Sequence, residues 1–235
     1  MNNYIVLQGK RAAGKDTAAL YIKYLLSTPT IFHYWRVAKL FRFKPLFSKW
    51  QIVKYADSLK KVLSIILNVE VSKFEDRDFK EHCYFDFNAY KLYYEGNSNI
   101  IPISDKNFNR ELKKDNYNVA LEYTLTIRQI LQYWVTEICR HYLGDKLWIN
   151  TTLKNGNLII SDQRFKVENE SVQKSDANSF IIHIIRPNSL PSLHSSEKEL
   201  DELYEKENYD VLIENDSTLE DLFYKCRTIV YNFIL

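Results

Sequence analysis

The chain has 235 residues, with 32 lysines and arginines against 30 aspartates and glutamates and a formal net charge of +2. This balance excludes the strongly basic surface of a general nucleic-acid-binding protein, and 14% aromatic residues exclude a disordered chain. A chain of this length buries roughly 70–75% of its unfolded surface, so it needs neither a disulfide nor a metal to fold. We expect a single domain with insertions.

The cysteines and the ends of the sequence predict a cytoplasmic protein. The three cysteines are odd in number and far apart: Cys83, Cys139 and Cys226. This pattern is typical of a reduced intracellular protein rather than a disulfide framework. The first charged residue, Lys10, follows only a few apolar residues, which are too few for the apolar segment of a signal peptide, so we expect none. The longest apolar runs are far shorter than the about 20 residues of a membrane span, so we expect no membrane contact.

In the first half of the chain, residues 4–7 predict a buried strand and residues 18–26 a helix. Asp57 is expected to cap a helix that runs to Leu67. Its apolar side would consist of Leu59, Val62, Leu63 and Ile66. Residues 30–52 show no clear period, and residues 68–123 are predicted to be an irregular or partly helical insertion.

In the second half, residues 126–143 give the clearest helical pattern. Its apolar stripe consists of Ile127, Ile130, Leu131, Trp134, Ile138 and Tyr142. Three apolar runs predict buried strands, at residues 158–160, 180–185 and 209–213. Residues 188–196 are expected to form a loop, and residues 218–233 a closing helix with Leu219, Leu222, Cys226, Ile229 and Phe233 in register. Apolar strands that alternate with helices predict an α/β fold with a parallel sheet covered on both faces.

Two of the chain's 5 glycines, Gly9 and Gly14, bracket four residues and are followed directly by Lys15. Because the segment connects a predicted strand to a predicted helix, it has the context of a phosphate-binding loop, or P-loop. In such a loop, backbone N–H groups and the helix N-terminus surround phosphate oxygens, and the lysine bridges the terminal phosphates. The alternative is an ordinary glycine turn with a solvated lysine. We predict that the P-loop, residues 9–17, binds a nucleoside triphosphate.

The residue after the lysine departs from the general pattern, which has Ser or Thr there. In this chain Asp16 follows Lys15, and Thr17 comes next. We therefore predict that the Thr17 hydroxyl lies near the phosphates or Mg²⁺, and the role of Asp16 stays open. The residues assigned to this part of the site are Gly9, Arg11, Ala12, Ala13, Gly14, Lys15, Asp16 and Thr17.

Asp162 is predicted to lie at the carboxyl end of a buried strand, and Arg164 follows it. Ligands of open parallel sheets bind at this edge. An aspartate there can hold Mg²⁺ through water, accept a bond from a substrate or take its proton. The alternative is that Asp162 caps the helix that begins near Phe165.

A polar stripe recurs every fourth residue on the helix predicted at residues 126–143. It consists of Arg128, Gln132, Thr136 and Arg140. Such a stripe is commonly a solvated helix face. It would equally suit a phosphate and a base, because arginine binds phosphate oxygens in a bidentate way and glutamine offers both a donor and an acceptor.

In nine segments the chain resembles the phage-type deoxynucleoside monophosphate kinases. They include the Gly14-Lys15-Asp16-Thr17 ending of the P-loop and the Arg128-x3-Gln132-x3-Thr136 stripe. The segments occur in the family's order and cover about half the chain: residues 9–17, 55–60, 74–80, 128–140, 147–150, 160–165, 185–187, 194–197 and 213–220. Trp134 stands where the family has a small residue, so the base pocket is expected to be reshaped.

The resemblance implies a three-layer P-loop kinase fold that transfers the γ-phosphoryl group of ATP, with Mg²⁺, to a deoxynucleoside monophosphate. It implies a core at about residues 1–29, 124–186 and 209–235, a helical monophosphate-binding insertion at 30–123, and a lid at 187–200. Catalytic roles would fall to Lys15, Asp162, Arg164 and Arg128, and Mg²⁺ would be held by Thr17 and Asp162. The monophosphate would contact Asp57, Lys60, Arg128, Gln132, Thr136, Arg140, Trp148 and Arg164.

On the donor side, the resemblance places Arg186 over the triphosphate, and Asn215 and Asp216 near the adenine. A monomer and a homodimer are both compatible with it, and the lysine, asparagine, isoleucine and tyrosine usage suggests a viral or phage source. Two alternatives stay open. One is another P-loop kinase, acting on phosphomevalonate or dephospho-coenzyme A, and the other is a nucleotide-binding scaffold without turnover.

Overall fold

A computed structural model describes residues 2–27, 48–87, 90–96, 99–102, 124–134, 139, 142–187 and 195–234. The chain divides into two compact units. The first unit comprises Met1–Tyr55 and Ile149–Leu235, and the second comprises Ala56–Trp148. Residues 124–148, which the resemblance groups with the core, therefore belong to the second unit.

The strands are, in chain order, β1 (Asn3–Gln8), β2 (Trp50–Val53), β3 (Cys83–Asp86), β4 (Lys91–Gly96), β5 (Asn99–Pro102), β6 (Thr124–Thr126), β7 (Asn157–Gln163), β8 (Asn178–Ile185) and β9 (Val211–Glu214). The helices are α1 (Lys15–Ser27), α2 (Ala56–Leu67), α3 (Arg77–His82), α4 (Ile127–Tyr133), α5 (Leu147–Thr152), α6 (Lys166–Gln173), α7 (Ser195–Glu205) and α8 (Leu219–Ile229). A 3₁₀ turn, Val71–Glu75, precedes α3, and a π-helical turn, Val230–Ile234, follows α8.

The first unit is built on a parallel sheet with the strand order β2-β7-β1-β8-β9. The strands predicted at residues 4–7, 158–160 and 180–185 lie within β1, β7 and β8, and the one predicted at 209–213 overlaps β9, which begins two residues later. Side chains alternate between the two faces of a strand, so Ile5 and Leu7 share one core with α1 and α8 while Val6 is buried on the opposite face. The predicted α/β class, a parallel sheet flanked by helices, is confirmed.

The edge strand β2 was not predicted. It is only four residues long, and its apolar side chains Trp50 and Ile52 are half-buried. An edge strand of this kind carries neither a continuous apolar run nor a clean alternation, because only one side of it is paired.

The second unit contains an antiparallel sheet with the strand order β5-β4-β3-β6. We expected the insertion to be irregular or partly helical. Its helical part is present as α3 and the preceding 3₁₀ turn, whereas the strands β3, β4 and β5 were not predicted. The sheet packs with the second unit's helices on a separate core of Leu59, Leu63, Leu67, Phe74, Phe79, Cys83, Phe85, Leu92, Ile127 and Ile130. These strands are only three to six residues long, which is too short for a two-residue period to stand out in the sequence.

The helix predicted from Asp57 is present as α2, but Asp57 lies in its first turn rather than at its cap. Leu59 and Leu63 are buried as expected. Val62 and Ile66, by contrast, are 40% and 48% exposed, so the buried face is narrower than predicted.

The helix predicted at residues 126–143 is present as α4 over Ile127–Tyr133, and the described residues beyond it, 134, 139, 142 and 143, are π-helical. It starts with a capping box, in which the Thr126 hydroxyl accepts from the Gln129 N–H and the Gln129 side chain accepts from the Thr126 N–H. Ile127 and Ile130 are buried as expected, but Tyr142 is 76% exposed and is not part of the core stripe. Ile138 lies outside the described residues.

The loop predicted at residues 188–196 is wrong at its last two residues, because α7 begins at Ser195. The lid at residues 187–200 stays a prediction. Residues 188–194 lie outside the described part of the chain. The closing helix is present as α8, and Leu222, Cys226 and Ile229 are buried as predicted. Leu219 and Phe233 are 55% and 61% exposed, which contradicts their predicted place in the core.

All three cysteines are buried and none forms a disulfide, as the sequence predicted. Burial raises the pKa of the Cys83 and Cys226 thiols to about 12. Within the described ranges, no helix is both long and apolar enough to cross a membrane.

Candidate functional site

The P-loop leaves β1 at Gln8 and returns to regular structure at Lys15, the first residue of α1. Its backbone has positive φ angles at Gly9 (+149°), Ala12 (+61°) and Gly14 (+106°). A Cβ on Gly9 would lie 2.2 Å from the Ile184 carbonyl oxygen on the neighbouring strand. Glycine is therefore required at position 9 both by the backbone angle and by the space available.

Lys15 is only 7% exposed, and its ammonium curls back over the P-loop. Its Nζ donates to the carbonyl oxygens of Gly9 and Lys10, at 2.6 and 2.7 Å. The Ala18 N–H donates to the Gly14 carbonyl, which closes the first turn of α1. The loop thus combines a held positive charge with the N-terminus of a helix of 13 residues, an arrangement that attracts phosphate.

His183 lies on β8 beside the P-loop strand, where Gln8 is its partner in the register. It is 3% exposed and packs against Tyr204 and Tyr209. Burial, aided by the nearby Lys15 ammonium, lowers its pKa to about 4. The imidazole is therefore neutral near pH 7 and adds no charge beside Lys15. A lone histidine in an apolar run gives no sequence signal for this position.

Asp16, whose role the sequence left open, links α1 to the ends of two strands of the sheet. Its carboxylate accepts from the Ser161 hydroxyl at 3.1 Å and pairs with the Lys54 ammonium at 3.1 Å. Thr17 is half-buried in the first turn of α1. Its predicted contact with phosphate or Mg²⁺ stays a prediction.

A β-bulge in β7 sets the direction of Asp162. Val6 pairs with Ile160 and Gln8 with Gln163, so β7 carries one residue more than β1 between the two pairs. The Asp162 carboxylate accepts from the Tyr55 N–H at 2.8 Å and so joins the ends of β7 and β2. Asp162 therefore lies at the sheet edge as predicted, and it does not cap the following helix.

That capping role belongs to Glu168, which the sequence analysis did not single out. Its carboxylate accepts from the N–H groups of Arg164 and Phe165, at 2.8 and 3.0 Å, and it is 6% exposed. Glu168 thereby fixes the backbone from which the Arg164 side chain projects. A Glu at the third position of a helix is a signal that sequence can carry, but three acidic or amide residues in a row, 168–170, hid it.

The donor-side candidates follow β8 and β9. Arg186 is exposed directly after β8. Asn215 follows β9, and its side-chain Nδ2 donates to the Ala13 carbonyl of the P-loop at 2.8 Å. Asp216 forms an ion pair with Lys225 of α8 at 2.8 Å. The structure therefore brings Asn215 and the P-loop together, which the sequence did not predict.

In the second unit, Arg128 pairs with Glu81 at 2.7 Å, and the Lys60 ammonium bonds to Glu75 and lies 3.9 Å from Asp57. Gln132 is exposed on α4. Trp148 packs at the edge of the second unit's core. Thr136 and Arg140 lie outside the described residues. The roles of these residues stay predictions.

The donor set at the P-loop fits Mg²⁺. In phosphate-transferring enzymes this ion keeps several waters and is held by one or two protein oxygens together with substrate phosphates. The Thr17 hydroxyl and the Asp162 carboxylate are donors of that kind. Across the described ranges, no group of three or more His, Cys, Asp or Glu side chains could hold a metal by itself.

The sequence model of the deoxynucleotide monophosphate kinase family matches residues 67–226. No curated protein sequence matches the chain. Among solved structures, dephospho-CoA kinase from Campylobacter jejuni is similar at 14% identity, with a TM-score of 0.36, over 98% of this chain and 96% of that one. Because the family match spans more than half of the 235 residues, this chain belongs to the deoxynucleotide monophosphate kinase family.

Proposed function

We propose that this protein transfers the γ-phosphoryl group of ATP to a deoxynucleoside monophosphate, yielding ADP and the deoxynucleoside diphosphate. The observation that carries the proposal is the P-loop: a strand-loop-helix segment with three positive φ angles and a lysine held over it, in a chain that belongs to this kinase family. Phosphoryl transfer requires little covalent chemistry from the protein, because positioning and charge neutralisation supply most of the rate.

On the donor side, the P-loop N–H groups and Lys15 would neutralise the triphosphate. Thr17 and Asp162 would hold Mg²⁺, which supplies further charge neutralisation at the transferred group when bound. The salt bridge from Asp16 to Lys54 and the bond from Asp162 to Tyr55 support these roles, because they fix the elements that carry the two metal candidates. Arg186 would lie over the triphosphate, and Asp216 would lie near the adenine.

On the acceptor side, Arg128, Arg164 and Arg140 would bind the monophosphate, and Gln132 and Thr136 its base. The Glu81 carboxylate supports a role for Arg128, because it accepts from Nε and so orients the guanidinium plane. Glu168 supports a role for Arg164 in the same sense, through the backbone. Asp57, Lys60 and Trp148 are proposed as outer contributors. We propose a cytoplasmic location and no nucleic-acid partner.

A turnover assay with a panel of acceptors tests the proposal. The panel contains the deoxynucleoside and ribonucleoside monophosphates, phosphomevalonate and dephospho-coenzyme A, each with ATP and Mg²⁺. We expect ADP formation that depends on one or more deoxynucleoside monophosphates. Turnover only with phosphomevalonate or dephospho-coenzyme A would favour the other kinase class. ATP binding without turnover on any acceptor would favour a nucleotide-binding scaffold.

A further inference from the structure

Asn215, which follows β9, is held by hydrogen bonds of its own backbone and of both neighbours. Its own N–H donates to the Ile185 carbonyl at 2.8 Å. The Lys225 ammonium binds both neighbours of Asn215, the Glu214 carbonyl at 2.6 Å and the Asp216 carboxylate at 2.8 Å. One lysine from α8 thus holds the backbone on both sides of Asn215, and this fixes the position from which the Asn215 side chain extends.

From that point the Asn215 amide reaches the P-loop. Its Nδ2 donates to the Ala13 carbonyl oxygen at 2.8 Å. A Cβ on Gly14 would lie 2.5 Å from the same Nδ2 atom, so any side chain at position 14 would displace the amide. Gly14 therefore serves a second purpose beside its φ of +106°, because it leaves the space that Asn215 occupies.

The bond to Ala13 has a consequence for Gly14 through the geometry of the peptide unit. The Ala13 carbonyl and the Gly14 N–H belong to one planar trans peptide and point in opposite directions. When Asn215 holds the carbonyl on its own side, the Gly14 N–H must point to the other side of the chain. Ala12, the residue before this peptide, has a positive φ of +61°, which costs a non-glycine residue free energy and needs support from its surroundings.

We propose that Asn215 is a positioning residue for the phosphate site, which acts by fixing the peptide between Ala13 and Gly14 so that the Gly14 N–H is presented to a polyphosphate. This role differs from the contact with adenine that the family resemblance implies for Asn215. It rests on the proposed function only in taking a polyphosphate as the ligand of the P-loop. It does not depend on which acceptor receives the phosphoryl group.

Calorimetric titration with inorganic tripolyphosphate, ATP and GTP, each with Mg²⁺, tests the proposal. The variants Asn215→Leu, which keeps the shape of the side chain, and Asn215→Ala remove the donor. We expect both to bind all three ligands about tenfold more weakly than the unaltered protein, the effect of one lost hydrogen bond. The control is Asn232→Ala, at an exposed position in the π-helical turn after α8. It should bind the three ligands with the affinity of the unaltered protein.

Tripolyphosphate separates the two roles because it has no base. Unchanged affinity for tripolyphosphate in both Asn215 variants would overturn the proposal, and a loss confined to ATP would assign Asn215 to the adenine instead. If circular dichroism shows that both variants unfold, Lys225→Met replaces them. This substitution removes the hydrogen bonds to Glu214 and Asp216 and leaves the sequence of the P-loop unchanged. It should weaken tripolyphosphate binding several-fold, and unchanged binding by the folded Lys225→Met protein would equally overturn the proposal. Because no turnover is measured, the result is independent of whether a deoxynucleoside monophosphate is the acceptor.

Discussion

The Asp162 carboxylate accepts a hydrogen bond of 2.8 Å from the backbone N–H of Tyr55. This bond joins the carboxyl ends of β7 and β2, two strands whose residues are about 100 positions apart in sequence. Asp162 can therefore contribute both a structural bond and a negative charge, and the two contributions can be separated by substitution.

Asp162→Asn should keep the bond to Tyr55, because the amide oxygen also accepts, while it removes the charge proposed to hold Mg²⁺. We expect an unfolding free energy within about 1 kcal/mol of the original. We also expect a fall in kcat of on the order of 10²-fold and a requirement for more Mg²⁺. Steady-state kinetics over a range of Mg²⁺ concentrations, with urea unfolding as the control, measure both. If kcat and its dependence on Mg²⁺ are unaltered in this variant, Asp162 has a structural role only and does not hold Mg²⁺.

Arg128→Ala and Arg164→Ala should each raise the KM for the monophosphate far more than the KM for ATP. Each substitution removes a charge-assisted contact worth about 1.5–3 kcal/mol, so we expect an increase of roughly 10- to 150-fold. Steady-state kinetics with each substrate varied in turn measure the two constants.

Two control variants accompany these arginines. Glu81→Gln weakens the ion pair with Arg128 but leaves the guanidinium in place, so its effect on the monophosphate KM should be much smaller. Arg227→Ala removes an arginine of α8 that lies over the ring of Tyr231 in the following turn, and it should change neither KM. If either Arg128→Ala or Arg164→Ala weakens ATP alone, that arginine belongs to the donor side.

Gly9→Ala should destabilise the protein much more than Gly156→Ala. Both glycines have positive φ angles, +149° and +122°, so both substitutions carry a backbone penalty of about 1–2 kcal/mol. Only the Cβ at position 9 meets another atom, the Ile184 carbonyl oxygen, whereas nothing lies within 4 Å at position 156. We expect Gly9→Ala to cost about 1–3 kcal/mol more in urea unfolding. Equal losses of unfolding free energy in the two variants would mean that β8 moves away from the new Cβ without a measurable cost in stability.

His183 should make the protein sensitive to acid. Its pKa is about 4 in the folded chain against about 6.5 for a free histidine, so below pH 6.5 the unfolded chain binds a proton that the folded chain does not. The free energy of unfolding should therefore fall as the pH drops from 6.5 to 4, by up to about 3 kcal/mol from this residue. Urea unfolding at several pH values should show a clearly smaller fall for His183→Gln. The same fall in both proteins would assign the acid sensitivity to other groups.

The parallel sheet and its P-loop could be predicted because their signals are local. Buried strands such as β1 and β8 read as continuous apolar runs, and the spacing from Gly9 to Lys15 stands out in a chain with few glycines. The antiparallel sheet of the second unit could not be predicted, because its strands are only three to six residues long and none carries a long apolar run. Its pairing also depends on contacts between distant residues, such as β3 with β6.

At the site, the sequence indicated where side chains lie along the fold better than it indicated what they contact. Asp162 was selected from its place at the carboxyl end of a strand and Asn215 from the family resemblance, yet the partners of both, the Tyr55 N–H and the Ala13 carbonyl, are backbone groups. Sequence patterns do not indicate which backbone group a side chain will bind across the fold. Glu168 was missed for a related reason, since its capping bonds are set by where β7 ends.

The central claim is tested most directly by following the phosphoryl group itself. ATP labelled with ³²P at the γ-position is incubated with each deoxynucleoside monophosphate and Mg²⁺, and the products are separated by chromatography. We predict label in the deoxynucleoside diphosphate in a one-to-one ratio with ADP, and a transfer rate at least about 10²-fold lower for folded Lys15→Ala, which lacks the preorganised charge. Label that appears only in inorganic phosphate, or transfer that Lys15→Ala supports at the original rate, would contradict the account.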